Sequence, residues 1–254
     1  MPTISLFNRQ RGLDRQRGFT LVELAVVLLI IGLIVGGVLR GEELITSAQL
    51  NSIQTDANRV RTATFTFQEK FRALPGDFEE VGILDTTPLD NPPTGGNGDG
   101  RIRCADGAAG DCRLGSANDE AVQFWVHLGT QGILETQANA LNENGITADT
   151  AFRTSFDGVF TIKHGIDTQN FLDTERPNDL LMMVGTANDL SSQANDKPIL
   201  SSRDAASLDA KVDDGRATSG DMLGGSSSSD GGCRDDETQS GYASDGRCAL
   251  AFLF

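Results

Sequence analysis

Sixteen consecutive residues, Leu24 to Leu39, carry no polar side chain, and four arginines stand ahead of them. With Phe19 to Glu23 added, the stretch reaches the ~20 residues that an α-helix needs to cross a bilayer. Arg9, Arg11, Arg15 and Arg17 against Asp14 keep the leading segment cytoplasmic, so the residues after the span face the other side. Arg40-Gly41-Glu42-Glu43 follows the apolar run. A secretory signal peptide would need a small-residue cleavage site there. Glu23 is foreign to an ordinary anchor, because a carboxylate inside a span costs ~2.5–3.5 kcal/mol at mid-bilayer and less near the end.

Charge bounds the partners. The chain of 254 residues has a formal net charge of −15, although its first eighteen residues are basic. So acidic a body repels phosphate backbones, and no nucleic-acid partner is expected. Gly is abundant at 29 residues while Trp and Tyr occur once each, which suits a loop-rich domain on a modest core. No phosphate loop, G-x-S-x-G elbow or H-E-x-x-H motif occurs, and His127 and His164 have no triad-like neighbours in sequence, so no enzyme is expected.

Arg17-Gly18-Phe19-Thr20-Leu21-Val22-Glu23 resembles the processing site of type IV prepilins and type II secretion pseudopilins. The resemblance covers about residues 9–40. It implies that prepilin peptidase, a dedicated enzyme, cuts between Gly18 and Phe19 and that Phe19 becomes N-methylated. Gly18 lets a peptidase approach the bond closely because it has no side chain. Glu23 is the fifth residue of the trimmed chain, one helical turn from the new amine. In a filament the resemblance implies that this carboxylate faces the amine of a neighbouring subunit. An ion pair in a dry bundle favours assembly only when both members are present, which makes it a register device.

Beyond the span the helical pattern continues. Leu44, Ala48, Ile53, Ala57, Val60 and Phe67 recur at helical spacing, and no proline occurs from Phe19 until Pro75. One helix over about Phe19–Phe71 is expected. Gly32, Gly36, Gly37 and Gly41 weaken its middle by ~1 kcal/mol each relative to Ala. Small residues also suit close helix packing in lipid.

Leu74-Pro75-Gly76-Asp77 ends that helix with a turn signal, and a pilin-like subgroup shares this "LPGD" turn. A loop is expected over Thr87–Asp111 and a second helix over Ser116–Leu134, capped by Asn118 or Asp119. Trp125 is read as core and His127 as a partly exposed helix residue. Val159–His164, Leu180–Val184 and Cys248–Phe254 read as strands. Ser201–Asp214 reads as a short helix capped by Ser201 or Ser202 and ended by Gly215. Ser226–Asp236 is low-complexity loop.

Cys104, Cys112, Cys233 and Cys248 form two locally spaced pairs without a CxxC motif. In an exported body two disulfides are expected. Cys104–Cys112 with Cys233–Cys248 is one of three possible connectivities. No cofactor is required, but calcium is considered at two places. Asn97, Asp99 and Asp106 echo an EF-hand loop, against the simpler reading of a polar turn. Asp209, Asp213, Asp214 and Asp221 crowd one segment, and some pseudopilins bind calcium in their C-terminal loops; the competing reading is a solvated cap and turn.

The expected fold is α+β and pilin-like: a long N-terminal transmembrane helix on a small antiparallel sheet, with extra loops and short helices. Residues 1–18 are the expected leader, 19–72 the long helix with 19–39 transmembrane, and 73–254 the periplasmic or extracellular domain. The expected function is a structural subunit, a minor pilin or pseudopilin, of a type IV pilus or type II secretion pseudopilus. Its expected partners are prepilin peptidase, other such subunits and an inner-membrane assembly platform. It would sit in the bacterial inner membrane as a single-pass protein and then in a filament. The alternative is a membrane-tethered calcium- or ligand-binding domain that uses the same processing signal without polymerising.

Overall fold

The computed structural model describes residues 19–84, 93–102, 119–135, 152–154, 156, 158–165, 179–186, 198–225, 232–235 and 240–254. Gly18, Cys104, Cys112, Asp106 and most of the expected loops lie outside them. The chain divides into two units, residues 1–46 and residues 47–254. The division falls inside the first helix, α1 (Leu21–Phe71), so the compact unit begins at Ser47 with that helix's second half.

In the first unit α1 runs unbroken through Gly32, Gly36, Gly37 and Gly41, and an added Cβ at any of the four would meet open space. The apolar side chains from Leu21 to Leu39 are all exposed. Mean hydropathy reaches 2.8 over eighteen residues, so this part of α1 is long and apolar enough to cross a membrane.

In the second unit α1 supplies Leu50, Ile53, Ala57, Val60, Ala63 and Phe67 to one hydrophobic core. Their spacing of three, four, three, three and four keeps them on one helix face. Leu44 and Ala48, expected on that face, are exposed, so the buried stripe starts at Leu50. Periodicity alone could not locate that start. Apolar side chains continue at helical spacing into the preceding span, and which of them is covered depends on where the body ends.

The other elements of the second unit are α2 (Glu120–Thr130), β1 (Gly158–His164), β2 (Leu180–Thr186), β3 (Leu200–Ser201), α3 (Ser202–Val212), β4 (Met222–Gly225) and β5 (Arg247–Leu253), with a 3-10 turn at Val81–Ile83. Among the described residues the sheet is antiparallel throughout, in the order β1-β2-β5-β3, with β4 also paired to β5. The C-terminal strand therefore sits in the middle. Alternation sorts its side chains: Cys248, Leu250 and Phe252 enter the core shared with α1, while Ala249 and Ala251 join Leu181, Met183 and Leu223 in a second cluster.

The expected strands are present, and β3 and β4 are additions. Two and four residues long, they are too short for a period-two pattern to show. The second helix is shorter than expected and its Asp119 N-cap makes no side-chain cap bond. The third starts after Ser201, whose Oγ accepts the Asp204 N–H at 3.1 Å. Trp125 is buried, T-shaped against Phe124 and stacked on Phe152 at 5.8 Å. His127 is fully buried, not partly exposed, because α2 is covered from Glu120 to Leu128 rather than on one stripe. Cys233 and Cys248 form a disulfide.

Candidate functional site

Three places hold the residues that sequence reasoning singled out. The first is the start of α1. Thr20 precedes the helix, its Oγ1 accepts the Glu23 N–H at 3.2 Å, and its own N–H points back at Glu23 Oε2 at 3.4 Å. This is a capping box, in which a hydroxyl and a carboxylate three residues apart each satisfy the other's backbone donor. The sequence pattern T-x-x-E carries the signal. It was overshadowed in the sequence by the charge of Glu23, but it explains how a carboxylate sits at the mouth of an apolar helix. The acid accepts the Thr20 N–H, its own N–H is met by the Thr20 hydroxyl, and its charge lies at the positive end of the helix dipole.

The second place is the turn after α1. Gly76 has φ +89°, and a Cβ there would lie 2.3 Å from the Glu120 carbonyl oxygen, so the close approach of the turn to α2 requires glycine. Gly76 N–H donates to His127 Nδ1 at 2.9 Å, which leaves the ring proton on Nε2, 3.1 Å from the Thr94 carbonyl. Burial pulls His127 down to about 4, outweighing the Thr94 carbonyl, which favours the protonated ring. Asp77 is buried, and its two oxygens accept the N–H groups of Asp99 and Gly100. Burial raises the Asp77 carboxyl nevertheless, outweighing the amides of Gly100 and Gly98.

Asn97 and Asp99, the EF-hand echo, turn their side-chain oxygens onto the N–H groups of Asp99 and Arg101 in their own loop. These are Asx turns, in which a short polar side chain imitates a backbone acceptor. The arrangement ties the end of α1, the 93–102 loop and α2 into one hydrogen-bonded block.

The third place is the C-terminal end of α3. Carboxylate oxygens of Asp209, Asp213 and Asp214 lie within 4.8 Å of one another. Asp221 meets the group through its backbone N–H, which donates to Asp213 Oδ2, as does Met222 N–H at 2.9 Å. Gly220, at φ +85°, leaves room for that carboxylate; a Cβ would strike it. Asp214 accepts from Arg216 N–H and from the Ser219 hydroxyl.

Asp209 is fully buried; its Oδ2 accepts a hydrogen bond from the Tyr242 hydroxyl at 2.7 Å, and its carboxyl also hydrogen-bonds that of Asp213. Burial first, then the Asp213 carboxyl, push Asp209 up to about 8. Burial also tends to raise Asp213, but its hydrogen bonds to Asp209, Met222, Asp214 and Asp221 hold it below the usual range. Tyr242 is raised, by burial and then by Asp209. A sequence signal existed here too: Ala205, Leu208, Asp209 and Val212 share one helix face, so Asp209 occupies a core position.

Residues 13–39 match the sequence profile of the prokaryotic N-terminal methylation motif. The chain carries the signal of type IV pilins and pseudopilins. The N-methylation motif begins in the basic segment ahead of Phe19, takes in the Thr20–Glu23 capping box and ends with the apolar run at Leu39. It implies processing by prepilin peptidase and assembly with other pilin-type subunits. No curated protein and no solved structure matched the chain. The long apolar helix fits single-pass membrane anchoring, and the layout of that helix, small antiparallel sheet and short helices is pilin-like. The motif points to a structural subunit rather than an enzyme.

Proposed function

We propose that this chain is a minor pilin or pseudopilin, cut between Gly18 and Phe19, N-methylated at Phe19 and assembled through α1 into a type IV pilus or type II secretion pseudopilus. Before assembly it spans the bacterial inner membrane once, with residues 73–254 in the periplasm. One observation supports this above all: residues 21–39 of the methylation motif lie on a helix, and their apolar side chains are all exposed. Such a face needs lipid, or copies of itself, around it.

Lipid already shelters the side chains, so moving from membrane to filament exchanges one apolar surrounding for another. Helix packing and charge must then supply the specificity. Glu23 fits that role, since the amine freed at Phe19 is one turn away and a carboxylate at the helix start is already held in place by Thr20.

Single cysteines placed in turn between Leu21 and Leu39, followed by oxidation in membranes, test the reading. A ladder of multimers supports a polymerising subunit. Monomers alone support a tethered domain that borrows the processing signal. Mass spectrometry of the mature chain must find a methylated Phe19 at its start, and an intact Met1 removes the reading altogether.

A further inference from the structure

We propose that the cavity where α1 runs into the Leu74–Asp77 turn binds a neutral saccharide, held by Arg72 and Gln68. The inference does not depend on whether the chain polymerises. The end of α1, that turn and the 93–102 loop enclose about 450 Å³. Small-molecule sites occupy roughly 300–1,000 Å³ and combine apolar lining with a few converging polar groups. Here Ala73 and Leu74 supply the apolar lining, and Asp77 lies in the wall.

The backbone gives the first sign of a ligand. Arg72 holds φ +60°, and no other non-glycine residue among those described has a positive φ. Helices often end on a left-handed residue, but glycine usually takes that place because a Cβ is crowded there. Gly98 and Gly100 follow the rule on the cavity rim, at φ +70° and +77°. Arg72 breaks it, and strained backbone of this kind clusters at sites where a side chain meets a ligand. Among the described residues its guanidinium has no hydrogen-bond or ion-pair partner, and neither has the side-chain amide of Gln68 one turn earlier. Two unfilled donor groups, both reached by solvent, therefore border one cavity.

Charge selects the ligand class. The two donors call for acceptor oxygens. An anion would bring them beside Asp77, and beside Glu79, whose carboxyl lies against Gly98, in a chain of net charge −15. Like charges repel it. A cation would meet the Arg72 guanidinium instead. Uncharged hydroxyls accept from both donors without either penalty, and the C–H face of a sugar ring covers Ala73 and Leu74. The rim is also set in advance. Asp77 holds the amides of Asp99 and Gly100, so little ordering entropy remains to be lost on binding. Gly100 keeps the approach clear, since even an added Cβ would meet nothing within 4 Å.

Saturation-transfer NMR on the full-length protein, in a zwitterionic detergent free of sugar, reads weak binding directly. The probes are glucose, galactose, N-acetylglucosamine, maltose, lactose and cellobiose, with glucuronate and galacturonate as the acidic arm. The expected result is transfer to at least one neutral sugar and weaker transfer to both acids. Arg72→Gly is the deciding variant. It removes the guanidinium and weakens binding at least about tenfold, the loss expected of a charged donor. Its melting temperature holds or rises, because glycine adopts the left-handed conformation freely. Gln68→Ala weakens binding on a good helix former, while Lys70→Ala, outside the cavity lining, leaves it unchanged. The proposal is overturned by no transfer to any neutral sugar, by stronger transfer to the acids, by unchanged binding in Arg72→Gly, by a lowered melting temperature in that variant, or by an equal loss in Lys70→Ala.

Discussion

The amide of Gly76 donates to Nδ1 of His127, joining the turn after α1 to the middle of α2. That bond needs an unprotonated nitrogen. Folding lowers the ring from 6.5 to about 4, so the unfolded chain binds the extra proton between those values. The stability that this difference represents is fully present above pH 6.5 and is lost as pH falls towards 4. A shift of that size is worth roughly 3 kcal/mol. The melting temperature should therefore fall between pH 6.5 and 4 in the wild type. In His127→Gln the fall should be shallower over the same window, from a lower starting value. Parallel pH profiles for the two proteins would count against the assignment.

Gly76→Ala should destabilise the body by at least about 2 kcal/mol. The residue must hold φ +89°, and its new methyl would press on the Glu120 carbonyl. Urea unfolding would read the loss. Gly82→Ala is the control, because a Cβ there meets nothing within 4 Å and should leave the midpoint almost unchanged.

Substitutions can separate the capping contact of Glu23 from the assembly role proposed for its charge. Thr20→Ala removes the cap hydroxyl and should cost about 1 kcal/mol of local helix stability, leaving filament yield near normal. Glu23→Gln keeps an acceptor for the Thr20 amide and discards the charge. If pairing with the Phe19 amine directs assembly, Glu23→Gln and Glu23→Ala should both be processed normally and both fail to assemble. Normal filament yield from Glu23→Gln would make the cap, rather than the charge, the function of this acid.

The Cys233–Cys248 bridge closes a loop with a sequence separation of 15. Replacing both cysteines with serine should cost about 3 kcal/mol through the unfolded state. It also puts hydroxyls at two positions that are buried in the core. A reductant added to the wild type should lower the melting temperature in the same direction. A melting temperature indifferent to both changes would show that packing of β5 alone holds the C-terminus.

Much of this was legible in the chain. The α1 helix, the capped α3, and the strands around Val159, Leu180 and Cys248 all follow local rules of period, capping and turn chemistry. Those rules act within a few residues, so one sequence suffices to apply them. The methylation motif is equally local. The burial of His127, the exposure of Leu44 and the placement of β3 and β4 were not legible. Each depends on which distant segment covers or pairs with the residue. Asp209 lies between the two cases: its position on the apolar face of α3 is written in the spacing, but its hydrogen bond from the distant Tyr242 hydroxyl is not.

The sequence by itself determined a helix behind a basic segment, a capped start at Thr20 and Glu23, and an apolar face too greasy for water, because these depend on near neighbours along one chain. Only the tertiary structure decided that β5 lies at the centre of the sheet, that His127 is sealed behind Gly76, and that three aspartates converge beside Tyr242. Those arrangements bring together residues far apart in the chain, through packing and backbone pairing that no short-range pattern specifies.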